Sequence, residues 1–152
     1  MRNHIERTER TIKAVVAWAA AHNAVRAVAL VGSRARGAAR PDSDIDLVLL
    51  VVDAEAFRAD HLWLDVIAWK QTGVRPLTWR DVQYGDLWSR HVRIDDGLEV
   101  EFSFAPLSWA NCAPLNTGTK RVISDGCRAL YDPDALLAAL MVCVSDADPR
   151  IL

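Results

Sequence analysis

The chain carries no surplus of positive charge. Its 18 lysines and arginines stand against 20 aspartates and glutamates, a formal net charge of −2. A protein that grips a nucleic-acid duplex usually shows a basic excess or stripe, so a DNA polymerase is not favoured. No apolar run approaches the roughly 18 residues that a membrane helix needs. Charged residues are spread through the first turns, so the N-terminus does not read as a signal peptide. Cysteine is scarce: Cys112, Cys127 and Cys143. They show no C-x₂-C metal spacing and read as unpaired bystander thiols in a reducing cytoplasm. Repeats, low-complexity tracts and composition shifts are also missing. What remains is ordinary for a globular protein, 51% hydrophobic and 25% charged. A chain of 152 residues buries about 68–70% of its unfolded surface, enough for one domain. We therefore expect a single domain over 1–152, with 146–152 as a flexible tail.

The most informative stretch runs from Val28 to Val52. Val28–Val31 is an apolar run that should be a buried strand, and Gly32-Ser33 turns out of it. A glycine there lets the backbone approach a ligand, and Ser33 fits as N-cap of a short helix. Free N–H groups at such a turn favour an anion. A Walker A loop is not supported, because G-x₄-G is not followed by Lys-Ser/Thr. Arg34, Arg36 and Arg40 follow. They read either as a solvated face or as donors to phosphate oxygens, without a basis for choosing among them. Pro41-Asp42-Ser43 is a turn. Asp44 and Asp46 then open a second apolar strand, Asp44–Val52. On a strand they share one face, roughly 6.5 Å apart. Two carboxylates at the mouth of a buried strand need a cation between them. Mg²⁺ is suited to that, since it takes one or two carboxylates plus substrate phosphates.

Gly32-Ser33, ten residues, then Asp44-x-Asp46 resembles the signature of the polymerase-beta-like nucleotidyltransferase superfamily. The likeness is greatest to its minimal nucleotidyltransferases and to the catalytic domain of antibiotic nucleotidyltransferases. The resemblance implies an α+β fold with a central mixed sheet of about 4–5 strands flanked by helices. It implies two Mg²⁺ ions (or Mn²⁺) and an NTP such as ATP as substrate. Asp44 and Asp46 would be metal ligands, Gly32 and Ser33 triphosphate contacts, and Arg34 or Arg36 further phosphate contacts. A third acid is expected on a neighbouring strand. Leu98–Ala105 is an alternating strand with Glu99, Glu101 and Ser103 on its polar face. Glu101, in its Val-Glu-Phe context, is the favoured third acid and base, and Glu99 the reserve. The superfamily usually has Asp there, so Glu is a departure.

The remaining chain reads as scaffold. Residues 5–23 form an amphipathic helix with Ile5, Ile12, Val15, Val16 and Ala19 on one face. Ala54–Asp60 and His61–Lys70 are helical. The segment from Gly73 reads as a long loop that enters a strand near Leu87–Ile94, and Asp95-Asp96-Gly97 is a hairpin turn. Trp79, Tyr84 and Trp88 are candidates for stacking a ring, His61 for a nucleotide contact, and Asp86 or His91 for a base. Thr119–Asp125 is a helix, Cys127–Tyr131 a last strand, and Pro133–Val144 a closing helix. The expected reaction is transfer of NMP from NTP to a hydroxyl acceptor, with pyrophosphate released. The acceptor stays open between a small molecule such as an antibiotic, a HEPN-type helical protein partner that is AMPylated by an antitoxin-like module, and, less favoured, nucleic acid. A non-catalytic module of the same fold is the alternative.

Overall fold

The computed structural model describes residues 2–147, with side chains from residue 5 onward. Helix α1 spans Arg2–Ala20. Its inward face is Thr8, Thr11, Ala14, Val15, Trp18 and Ala19. Ile5 was expected on that face but is 63% exposed. The face enters instead through two threonines, and the Thr11 hydroxyl donates to the Arg7 carbonyl at 2.7 Å. Strand β1, Val25–Val31, and strand β2, Ile45–Val51, are antiparallel neighbours. Both are buried along nearly their whole length because both faces are apolar.

Two short helices follow, α2 at Ala54–Ala59 and α3 at Leu62–Val66. The single helix expected from His61 to Lys70 is broken at Ile67, whose backbone is extended. The indole N–H of Trp69 donates to the Leu64 carbonyl at 2.8 Å. That carbonyl is the acceptor a continuous helix would offer to Ala68, so the buried tryptophan replaces the next turn, and a 3₁₀ turn follows at Trp69–Gln71.

The expected loop after Gly73 is a strand. β3, Pro76–Tyr84, and β4, Leu87–Ile94, form an antiparallel hairpin. β5, Glu99–Pro106, returns beside β4, and β6, Cys127–Tyr131, pairs with the far side of β1. The sheet has six strands in the order β3-β4-β5-β2-β1-β6. It is mixed as expected, because β2 and β5 are parallel while the other pairs are antiparallel. β3 is the strand the sequence reading did not count. Fully buried Arg90 holds it to the body. The guanidinium forms paired bonds to Asp81 at 2.8 and 2.9 Å and lies 3.9 Å from the centre of the Trp79 ring.

One sheet face packs against α1–α3 through Leu47, Leu49, Phe102, Phe104, Trp63 and Trp88. The other packs through Val48, Leu50 and Ala105 against α4, Thr117–Ser124, and α5, Leu136–Ala147. Asn116 caps α4, its Oδ1 accepting from the N–H groups of Gly118 and Thr119. The Asp132 carboxylate takes the N–H groups of Leu137 and Ala138 in the same way, so α5 begins after Pro133 rather than at it. Residues 146 and 147 belong to α5 instead of a tail, and 148–152 lie outside the described residues. Cys112 and Cys143 are joined as a disulfide, which corrects the reading of three unpaired thiols. Their 31-residue separation carries no recognisable spacing, yet folding sets their Cα atoms 6.0 Å apart, an ordinary disulfide span. Among the described residues, no helix is long and apolar enough to cross a membrane.

Candidate active site

A cleft of about 620 Å³ opens on the α4 side of the sheet, within the size of small-molecule sites. Its floor is made by Val31, Asp46, Val48, Ser89, Glu101 and Ser103. One wall is the β3–β4 hairpin tip, Tyr84 to Leu87. The opposite wall comes from Trp109, Asn116, Arg121, Val122 and Asp125.

Parallel pairing of β2 and β5 puts Asp46 directly beside Glu101. The Asp46 carboxyl is pushed up to about 7, first by burial, then by its hydrogen bond to Glu101 and by the charges of Glu101 and Asp44; His91 works in the opposite direction. Two carboxyls in partial burial thus lack a full share of positive charge. Their hard oxygen donors fit a divalent cation that completes its shell with substrate phosphates. Asp44 is set apart from them. It is exposed, its Oδ1 accepts the backbone N–H of Glu99 at 3.2 Å, and it is not in the cleft wall. Among the described residues, no three of His, Cys, Asp and Glu are gathered as a metal cage. Glu99 is engaged elsewhere, with Arg80 at 3.8 Å, Arg93 at 3.6 Å and His91 at 3.4 Å.

Gly32 borders the cleft at φ +76°. A Cβ there would lie 2.8 Å from Asp46 Oδ2, so any side chain would strike the carboxylate. Ser33 sits half-buried behind it, outside the cleft wall. Nor is Ser33 an N-cap: the 3₁₀ turn Gly32–Arg34 starts from Val31. Arg34 braces the loop that leads to the acids, its Nε donating to the Asp44 carbonyl at 3.1 Å and its Nη2 to the Ser43 carbonyl. Arg36 reaches the Asp125 carbonyl at 2.9 Å, across Gly126, where a Cβ would be 2.7 Å from Arg36 Cγ. The Arg40 backbone N–H bonds Ser43 Oγ.

Of the three aromatics considered for stacking, Tyr84 lines the cleft. Trp88 is buried against Phe104 on the opposite face, and Trp79 carries His61 at 4.8 Å beside Arg90. Asp86 lines the cleft; His91 lies behind Glu101, at 3.5 Å. Sequence reasoning missed Arg121, the cation of the cleft wall, together with Trp109, Asn116 and Asp125. Their only signal is position on the segment after β5, which tertiary folding alone brings over the acids. It also missed the buried Ser89–Ser103 hydroxyl pair, 2.6 Å apart on the floor.

The sequence profile of the streptomycin adenylyltransferase family matches residues 5–143. The chain belongs to that family. The family is part of the polymerase-beta-like nucleotidyltransferase superfamily, as the Gly-Ser and Asp-x-Asp spacing implied. Among solved structures, the chain is similar to an aminoglycoside 6-adenyltransferase from Bacillus subtilis, with 15% identity and a TM-score of 0.49. That match covers 66% of this chain and 35% of the other, so the chain spans about a third of that protein's length. No curated protein matches it in sequence.

Proposed function

We propose that the chain transfers AMP from ATP to a hydroxyl of a small cationic acceptor of the aminoglycoside class, releasing pyrophosphate. The observation that carries this reading is the Asp46–Glu101 pair on the floor of an open cleft in a chain of this family. Asp46 and Glu101 would hold divalent cation, Mg²⁺ or Mn²⁺, with Asp44 joining when its carboxylate swings from the Glu99 amide. A cation held by these residues would neutralise phosphate charge and make the acceptor hydroxyl more acidic.

The chain's own groups do the positioning. Gly32 lets the backbone approach the triphosphate from the cleft wall, while Ser33, outside that wall, would reach a β- or γ-phosphate only after its side chain turns toward the cleft. Arg121 supplies a guanidinium from the opposite wall. Arg34 and Arg36 act mainly as braces, each holding backbone carbonyls beside the site. Glu101 accepts the proton of the acceptor hydroxyl. The new bond joins that oxygen to the α-phosphorus, the α–β bridging bond breaks, and pyrophosphate carries away its electron pair. A cationic acceptor is supported by the cleft walls, where Asp86 and Asp125, carboxylates that the cation site does not use, stand beside Arg121 among the described residues.

The test is pyrophosphate release from each NTP with Mg²⁺ or Mn²⁺, with streptomycin and other aminoglycosides as acceptors and Asp46→Asn as control. Acceptor-dependent release with ATP is expected, and the product gains the mass of AMP. No release with any NTP and acceptor, from protein that is folded by circular dichroism, would sink the reading.

A further inference from the structure

The acid pair is part of a longer row. β4 carries His91 in register with Glu101, so Asp46, Glu101 and His91 stand side by side across three strands. The His91 side chain is 12% exposed. Its Nδ1 is 3.4 Å from Glu99 Oε1 and its Nε2 is 3.5 Å from Glu101 Oε1. Nε2 is buried and has no hydrogen-bond partner. Glu99, the outer carboxylate, is anchored by Arg80 and Arg93, and its N–H holds Asp44. The imidazole thus lies between a fixed carboxylate and the one that faces the cleft.

We propose that His91 is a positioning residue, which sets the rotamer of Glu101 so that its carboxylate meets Asp46 at the cation site. The proposal rests on the nucleotidyl-transfer reading. Its physical basis is the length of the glutamate. Glu has one more torsion than Asp and loses more freedom when it is fixed. A glutamate used as a metal ligand therefore needs an outer partner, and such partners orient ligating carboxylates generally. Nε2 needs only a small movement to donate to Glu101, which would also satisfy its own unmet bond. The Arg80/Arg93–Glu99 group keeps the ring from following Glu101 into the cleft.

The test uses the full chain with His91→Ala and His91→Gln. Mn²⁺ binding without NTP is followed by electron paramagnetic resonance, and kcat and KM for ATP by pyrophosphate release. Thermal unfolding checks the fold. His91→Ala is expected to lose roughly tenfold or more in Mn²⁺ affinity and a comparable factor in kcat, with KM for ATP little changed. His91→Gln, which keeps a donor, should recover most of both. Wild-type Mn²⁺ affinity and kcat in His91→Ala, beside their loss in Glu101→Gln, overturn the proposal. So does equal loss in both His91 variants that tracks a fall in melting temperature. If His91→Ala does not fold, His91→Leu, which fills more of the space and has no donor, takes its place under the same criteria. A wild-type protein that neither binds Mn²⁺ nor releases pyrophosphate sinks the nucleotidyl-transfer reading and this inference together. Failure confined to the variants sinks only this inference.

Discussion

Asp46 and Glu101 are paired partners on parallel strands, and their carboxyls share hydrogen bonding in a half-buried cleft floor. This side-by-side placement costs folding energy. Asp46, at about 7, holds its proton more tightly folded than unfolded. The folded state therefore binds more protons between about pH 4 and about pH 7, and stability falls as pH rises through that window. Asp46→Asn removes the penalty. At pH 8 without metal it should unfold at higher denaturant, by on the order of 1–2 kcal/mol after allowance for solvent screening. Below about pH 4 the difference should vanish. If Asp46 is a ligand of the proposed cation site, turnover should fall by on the order of a thousandfold.

At the proposed cation site, metal and proton would compete for the same oxygens. Below about pH 7 a cation must displace the Asp46 proton, so apparent Mn²⁺ affinity should drop by up to about tenfold per pH unit there and level off above it. Titrations from pH 5.5 to 8.5 read this directly. In Glu101→Gln the levelling point should move to lower pH, because the neighbouring negative charge is gone. A flat profile in the wild-type protein would place the cation elsewhere.

Gly32→Ala strikes the site without replacing an acid. The left-handed backbone costs about 1–2 kcal/mol for any residue with a Cβ. The added methyl would also stand 2.8 Å from Asp46 Oδ2, so the carboxylate must turn away. Chemical unfolding should report the first effect. A loss of kcat beyond that of an equally destabilised variant should report the second.

Arg121 stands exposed on α4, so Arg121→Ala should leave stability within about 0.5 kcal/mol. The KM for ATP should rise about tenfold, the worth of one charge-assisted phosphate contact. Unchanged KM would remove Arg121 from the nucleotide site.

Asp81→Ala tests the anchoring of β3. It leaves the Arg90 guanidinium buried without its carboxylate, which costs about 3–5 kcal/mol. The loss should show in the melting temperature, and the variant that still folds at low temperature should bind Mn²⁺ normally, since Asp81 is outside the cleft wall.

Sequence patterning was sufficient wherever burial is two-sided or strictly alternating. β1 and β2 are apolar runs with abrupt ends, and Leu98, Val100, Phe102 and Phe104 alternate with Glu99, Glu101 and Ser103. Pattern failed at β3, an edge strand exposed along Leu77–Arg80, whose order depends on a buried arginine from its neighbour. It failed at Cys112 and Cys143, whose proximity depends on how α5 lies against a distant loop. Glu99 and Glu101 could not be ranked by geometry from sequence, because register is a property of two strands. Pairing resolves their positions: Glu101 stands beside Asp46, and Glu99 among arginines. The far wall of the cleft was unreadable for the same reason.

The acids are fixed in the interior strands of the sheet, whereas the cleft's rims are borrowed from two separate excursions, the Tyr84–Leu87 tip and the segment from Trp109 to Asp125. The cleft's aperture and the proposed cation site are thus built from different parts of the chain. On the proposed function, lengthening or recharging the hairpin tip would change which acceptors enter while leaving Asp46 and Glu101 in place.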